Sequence, residues 1–137
     1  MIVLDASALV ALQDRRDRWY DAALEAVTDE PGPFIVPLVA LPEADSLLAA
    51  RSAGAMTHIL ASIADGSLLV DADADDGDLD RIRALLDGAG RAAFTAAAVV
   101  ACAERLGSRV LTFAPGAYAA LATDVTLISG RAAAPVH

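Results

Sequence analysis

The first five residues limit the architecture more than any other stretch of the chain. Ile2, Val3 and Leu4 form an unbroken apolar run with two β-branched members, and Asp5 closes it. Such a run suits a strand covered on both faces, as in a parallel sheet, because a strand with one wet face would alternate polar and apolar residues. A carboxylate buried at the end of that strand needs a partner, since leaving it unpaired is costly. Asp5 is therefore either the N-cap of the helix that follows or a ligand for a cation, and the local sequence leaves both open. Open α/β sheets bind their ligands at this edge, outside the carboxyl ends of the strands.

The remainder alternates helical and strand patterns. Ala6 to Gln13 reads as a short helix and Arg16 to Val27 as a second, with Trp19, Leu24 and Val27 turned inward; Thr28 to Pro33 is the break. Phe34-Ile-Val-Pro-Leu is a second strand, and Pro37 marks its end. Val39 to Arg51 is helical, with Leu41, Ala44, Leu47 and Leu48 at spacings of three and four, and Gly54 separates it from a helix over Ala55 to Ile63. Asp65-Gly66 stops that helix before a third strand, Leu68-Leu-Val. Asp78 to Leu86 places Leu79, Ile82, Leu85 and Leu86 on one face and turns Arg81 and Arg83 out, ending at Gly88 and Gly90. Thr95 to Leu106 is apolar almost all round, which marks a central helix, and Gly107 is its C-cap. Arg109-Val-Leu-Thr-Phe is a fourth strand, Pro115 to Leu121 a short helical segment and Val125-Thr-Leu-Ile a last strand. The alternation predicts an α/β domain over residues 1–130, its parallel sheet covered on both faces, with 131–137 as a flexible tail.

Composition narrows the class. With 137 residues, 56% of them hydrophobic, the chain has material for one full core. No apolar run reaches the roughly 18 residues of a membrane span, and no basic flank precedes the first strand, so a cytoplasmic protein is expected. The lone Cys102 lies in an apolar helical stretch and reads as a buried thiol. All ten basic residues are arginine against 19 acids, a net charge of −9 that repels nucleic acid at long range. Acids that converge on divalent cations reverse that field locally, so position matters more than total. Six acids lie between Asp71 and Asp80, read mostly as a solvated loop; the spacing and closing glutamate of an EF-hand are absent. His58 and His137 lack the partner spacing of a zinc site, and no Gly-x-Gly-x-x-Gly follows the first strand. Haloacid-dehalogenase-like phosphatases need a second aspartate where Ser7 stands, and both they and response-regulator receivers need a lysine, of which the chain has none.

A second acid can be placed beside the first. Glu43 lies in the first turn of the helix that begins near Val39 and points to the same end of the sheet as Asp5, whereas Asp45 faces elsewhere. A glutamate there is also what the helix dipole favours. Three segments now carry a resemblance: Val3-Leu-Asp-Ala-Ser-Ala-Leu, Pro42-Glu-Ala-Asp-Ser-Leu-Leu, and Ala96-Ala-Ala-Val-Val-Ala-Cys-Ala-Glu-Arg-Leu-Gly followed by Val110-Leu-Thr. In this order and spacing they resemble the motifs of PIN-domain proteins, most closely the VapC-type toxins, over residues 1 to about 128. The resemblance implies a three-layer α/β/α sandwich and RNA cleavage by Mg²⁺ or Mn²⁺ held by three or four acids. It also implies a homodimer and a VapB-like antitoxin as partner.

Carried across residue by residue, the resemblance makes Asp5 and Glu43 the catalytic, metal-holding acids, with Ser7 and Thr112 supporting them. The third acid is expected at Ala96 and the fourth at Ala114, so both of those acidic positions are vacant. Thr95, Thr112 and Asp87 lie near the vacancies in sequence, but hydroxyls are weak ligands and Asp87 is in the wrong helical turn. Two-metal phosphodiester chemistry holds its cations about 3.5 to 4 Å apart with carboxylates. Two acids supply part of one coordination sphere, so weak metal binding and poor cleavage are expected. Natural degeneration and deliberate replacement of two aspartates both account for the alanines. The alternative function is a non-catalytic PIN-like module that acts by binding protein. The surplus of Trp19, Tyr20, Leu24, Met56, Ile59 and Leu60 on two helices is the feature that suggests an interface.

Overall fold

Burial on both faces decides where the first strand goes. In the computed structural model, which describes residues 1–90 and 93–129, β1 (Ile2–Leu4) is the centre of a five-stranded sheet. The order is β3 (Leu69–Asp71), β2 (Phe34–Pro37), β1, β4 (Arg109–Leu111), β5 (Leu127–Ile128), and every pairing is parallel. The pleat sends alternate residues to opposite layers. Ile2, Leu4, Val36 and Leu111 join one core cluster, and Val3, Ile35 and Val110 join the other.

The first cluster lies beneath α1 (Ala6–Gln13), α2 (Tyr20–Asp29), α3 (Ala40–Ala49) and α4 (Ala55–Ala64). The second lies beneath α5 (Asp76–Leu86) and α6 (Phe94–Leu106). Helices on both faces of a parallel sheet make the three-layer α/β/α sandwich that the alternation predicts. Ala96 to Ala103 are all buried, so α6 is the central helix of its layer, and Gly107 ends it with φ +63°. Among the described residues no helix is long and apolar enough to cross a membrane. The expected flexible tail, 131–137, lies outside the described residues.

Several expectations are corrected. The second helix starts at Tyr20 instead of Arg16, because Asp17 Oδ1 accepts from the Trp19 amide at 2.8 Å and turns the chain there. Trp19 stacks on Phe113 with ring centroids 5.5 Å apart. Leu24, Leu47 and Leu79, expected inside, are about half exposed. The acidic run is a solvated loop only over 72–75, although Asp76 and Asp80 are exposed too. Asp71 ends β3, the Asp75 side chain caps α5, and Asp78 is buried against α6. Arg105 of α6 binds both Asp71 and Asp78, the latter from Nε at 2.9 and 3.1 Å. Composition along a segment does not reveal a counter-charge that arrives from a distant helix.

Candidate functional site

Strand ends and helix starts meet at the carboxyl edge of the sheet. Asp5 follows β1, Ala114 lies beyond β4, Glu43 occupies the first turn of α3 and Ala96 the first turn of α6. A cavity of about 130 Å³ brings these four together, lined also by Ser7, Thr95 and Tyr118. Asp87 does not line it. His58 is exposed on α4 and stands apart from it, and His137 lies outside the described residues.

Asp5 is 6% exposed, and both oxygens of its carboxylate accept hydrogen bonds. Oδ1 accepts from the Ser7 hydroxyl at 2.6 Å and from the Ala8 amide at 3.0 Å, the second bond being the N-cap of α1. Oδ2 accepts from the Tyr118 hydroxyl at 2.8 Å. Ser7 Oγ in turn accepts from the Phe113 amide at 2.8 Å and lies 3.3 Å from Thr112 Oγ1. Thr112 is fully buried, and its hydroxyl accepts from the Ala114 amide at 3.0 Å. Ser7 and Thr112 thus tie the start of α1 to the end of β4 and hold the edge in register.

Glu43 has no ion-pair partner among the described residues. Partial desolvation, and secondly the charge of Asp5, hold its carboxyl above the usual range. Burial and then the charge of Asp5 push the Tyr118 phenol well above its usual value, so it stays protonated and donates.

The donor set does not match a cage for a divalent cation. Mg²⁺ accepts one or two carboxylates with water completing an octahedron, but those carboxylates need oxygens open to it. Asp5 has both oxygens engaged by protein donors, and Ala96 and Ala114 offer no oxygen from their side chains. Among the described residues no three His, Cys, Asp or Glu side chains gather to hold a metal ion.

Tyr118 is the site residue that the sequence reading missed. It stands four residues after Ala114, and the short 3-10 helix Pro115–Tyr118 returns it to the same edge. Residue spacing carried no signal for it, because its role depends on that return.

The three layers and the all-parallel sheet order make a PIN-like fold, shared with solved structures. No family model matches the chain, and no curated protein does. Among solved structures it is similar to VapC20 of Mycobacterium tuberculosis, described as a sarcin-ricin loop cleaving toxin. That pair has 20% identity and a TM-score of 0.71, over 82% of this chain and 88% of that one. It is also similar to FitAcB of Neisseria gonorrhoeae, at 16% identity and a TM-score of 0.63, over 93% and 96% of the two chains. PAE2754 of Pyrobaculum aerophilum matches at 19% identity and a TM-score of 0.59, over 92% and 87%.

Proposed function

We propose that the chain is a VapC-type toxin scaffold whose parent activity is metal-dependent RNA cleavage, and that as it stands it binds Mg²⁺ or Mn²⁺ weakly and cuts RNA poorly. The observation that supports this reading is the cavity at the sheet edge, which Asp5 and Glu43 line together with Ala96 and Ala114, the two positions this reading takes for the missing acids. A homodimer and a VapB-like antitoxin are the partners that fit this reading.

A second reading is a non-catalytic PIN-like module that works by binding protein. Leu38, Val39, Leu79 and Phe94, each 38% to 54% exposed, favour it because they line one apolar groove between the end of β2, α5 and the start of α6. Restoration separates the two. Ala96→Asp with Ala114→Asp should give metal-dependent RNA cleavage and toxicity on expression, against little cleavage by the unaltered chain. A restored protein that binds Mg²⁺ yet leaves RNA intact moves the conclusion to the binding module.

A further inference from the structure

The Asp5 carboxylate is satisfied in a way that leaves no need for a cation. A carboxylate has about four lone-pair sites, and here three are taken by donors from two elements: Ser7 and Ala8 of α1, and Tyr118. Two of those donors are local to α1, as any N-cap arrangement would have them. The third comes from far along the chain, from a side chain only 6% exposed. Tyr118 lines the same cavity as Ala96, Ala114 and Glu43, so its bond to Asp5 is made among the residues that this reading assigns to the metal site. No buried side-chain polar atom among the described residues lacks a partner, and Asp5 and Tyr118 satisfy one another.

We infer that Tyr118 is a built-in plug: its hydroxyl takes the place on Asp5 Oδ2 that a divalent cation would take, so the metal-free site is a finished state of this chain. The inference rests on reading Asp5 as the metal-side carboxylate. A cation that binds Oδ2 competes with the phenol for that oxygen, and where it displaces the phenol it leaves a buried hydroxyl without its acceptor. Returning two aspartates therefore restores only part of the affinity while the tyrosine stays.

The test compares Mn²⁺ binding by titration calorimetry in four proteins: the unaltered chain, Tyr118→Phe, the pair Ala96→Asp with Ala114→Asp, and the triple variant. Circular dichroism verifies that each holds the fold. The triple variant should bind Mn²⁺ tighter than the pair by on the order of tenfold or more, the factor that one hydrogen bond to a charged group is worth. Without metal, Tyr118→Phe should melt lower than the unaltered chain. Equal Mn²⁺ affinity in the pair and the triple variant overturns the plug. So does saturable micromolar Mn²⁺ binding by the unaltered chain, a measurement that stands even if a variant does not fold. Tight Mn²⁺ binding by the triple variant without RNA cleavage leaves the plug standing and counts against the nuclease reading alone.

Discussion

Asp5 and Glu43 share a cavity wall but have opposite relations to their surroundings. Asp5 is held by three hydrogen bonds, whereas desolvation and the neighbouring charge work against ionisation of Glu43. A carboxyl whose folded pKa lies above its unfolded value binds more protons when folded, so its contribution falls as pH rises from the unfolded value through the folded one. Glu43→Gln should therefore raise the melting temperature at neutral pH and lose that advantage below the ordinary glutamate value of 4.5. The rise will be small, because the side chain is exposed. Thermal melts of both proteins across that interval check it; a glutamine variant less stable at neutral pH would mean that Glu43 has a stabilising partner. At this scale legibility was uneven. Asp5 could be located because it ends a run of three apolar residues, and Glu43 because it opens a periodic helix. Tyr118 could not, because its role depends on the 3-10 helix after β4 carrying it back to Asp5, and the residue spacing alone does not specify that return.

Elements were legible where one rule governed them, as in α6, whose small apolar residues run round all sides and are buried on all sides. They were less legible where a tertiary contact outweighed local pattern, as with β3, α5 and the acids between them. Arg105 ties that region together, its Nε on Asp78 and its Nη2 on Asp71. Burial alone would raise the Asp71 carboxyl, but the Arg105 guanidinium outweighs it and holds Asp71 below the usual range. A carboxyl lowered in this way adds stability above its unfolded pKa and loses it as pH falls through the folded one. Arg105→Ala should cost about 1.5 to 3 kcal/mol at neutral pH, the value of hydrogen bonds to charged groups, and progressively less in acid. Urea denaturation at neutral and acidic pH measures both; a loss that does not shrink in acid would assign the role of Arg105 to packing. The same cluster explains the silence of Cys102, whose thiol is pushed up to about 12, first by burial and then by Asp71.

For the molecule as a whole, the apolar surplus on the helices proves to be divided. Ile59 belongs to the core and Trp19 packs on Phe113, while Leu24 and Leu60 stay about half exposed. The larger exposed set is Leu38, Val39, Leu79 and Phe94, which residue spacing could not assemble because they come from three separate segments. If these four form the homodimer contact, Leu79→Glu with Phe94→Glu should halve the mass measured by light scattering at micromolar concentration, while the helical dichroism is unchanged. A monomeric unaltered chain, or a dimer indifferent to both charges, would remove this surface from consideration. Ile2 aligns with both Phe34 and Arg109, so the centre of the sheet is closed by a strand that is synthesised most of a chain length later. At about 5 to 20 residues per second, a ribosome leaves one edge of β1 unpaired for several seconds while α1 to α6 emerge. During translation, the apolar segment that organises the finished protein is thus also an open, aggregation-prone edge, and a chaperone that shields it would act before β4 arrives.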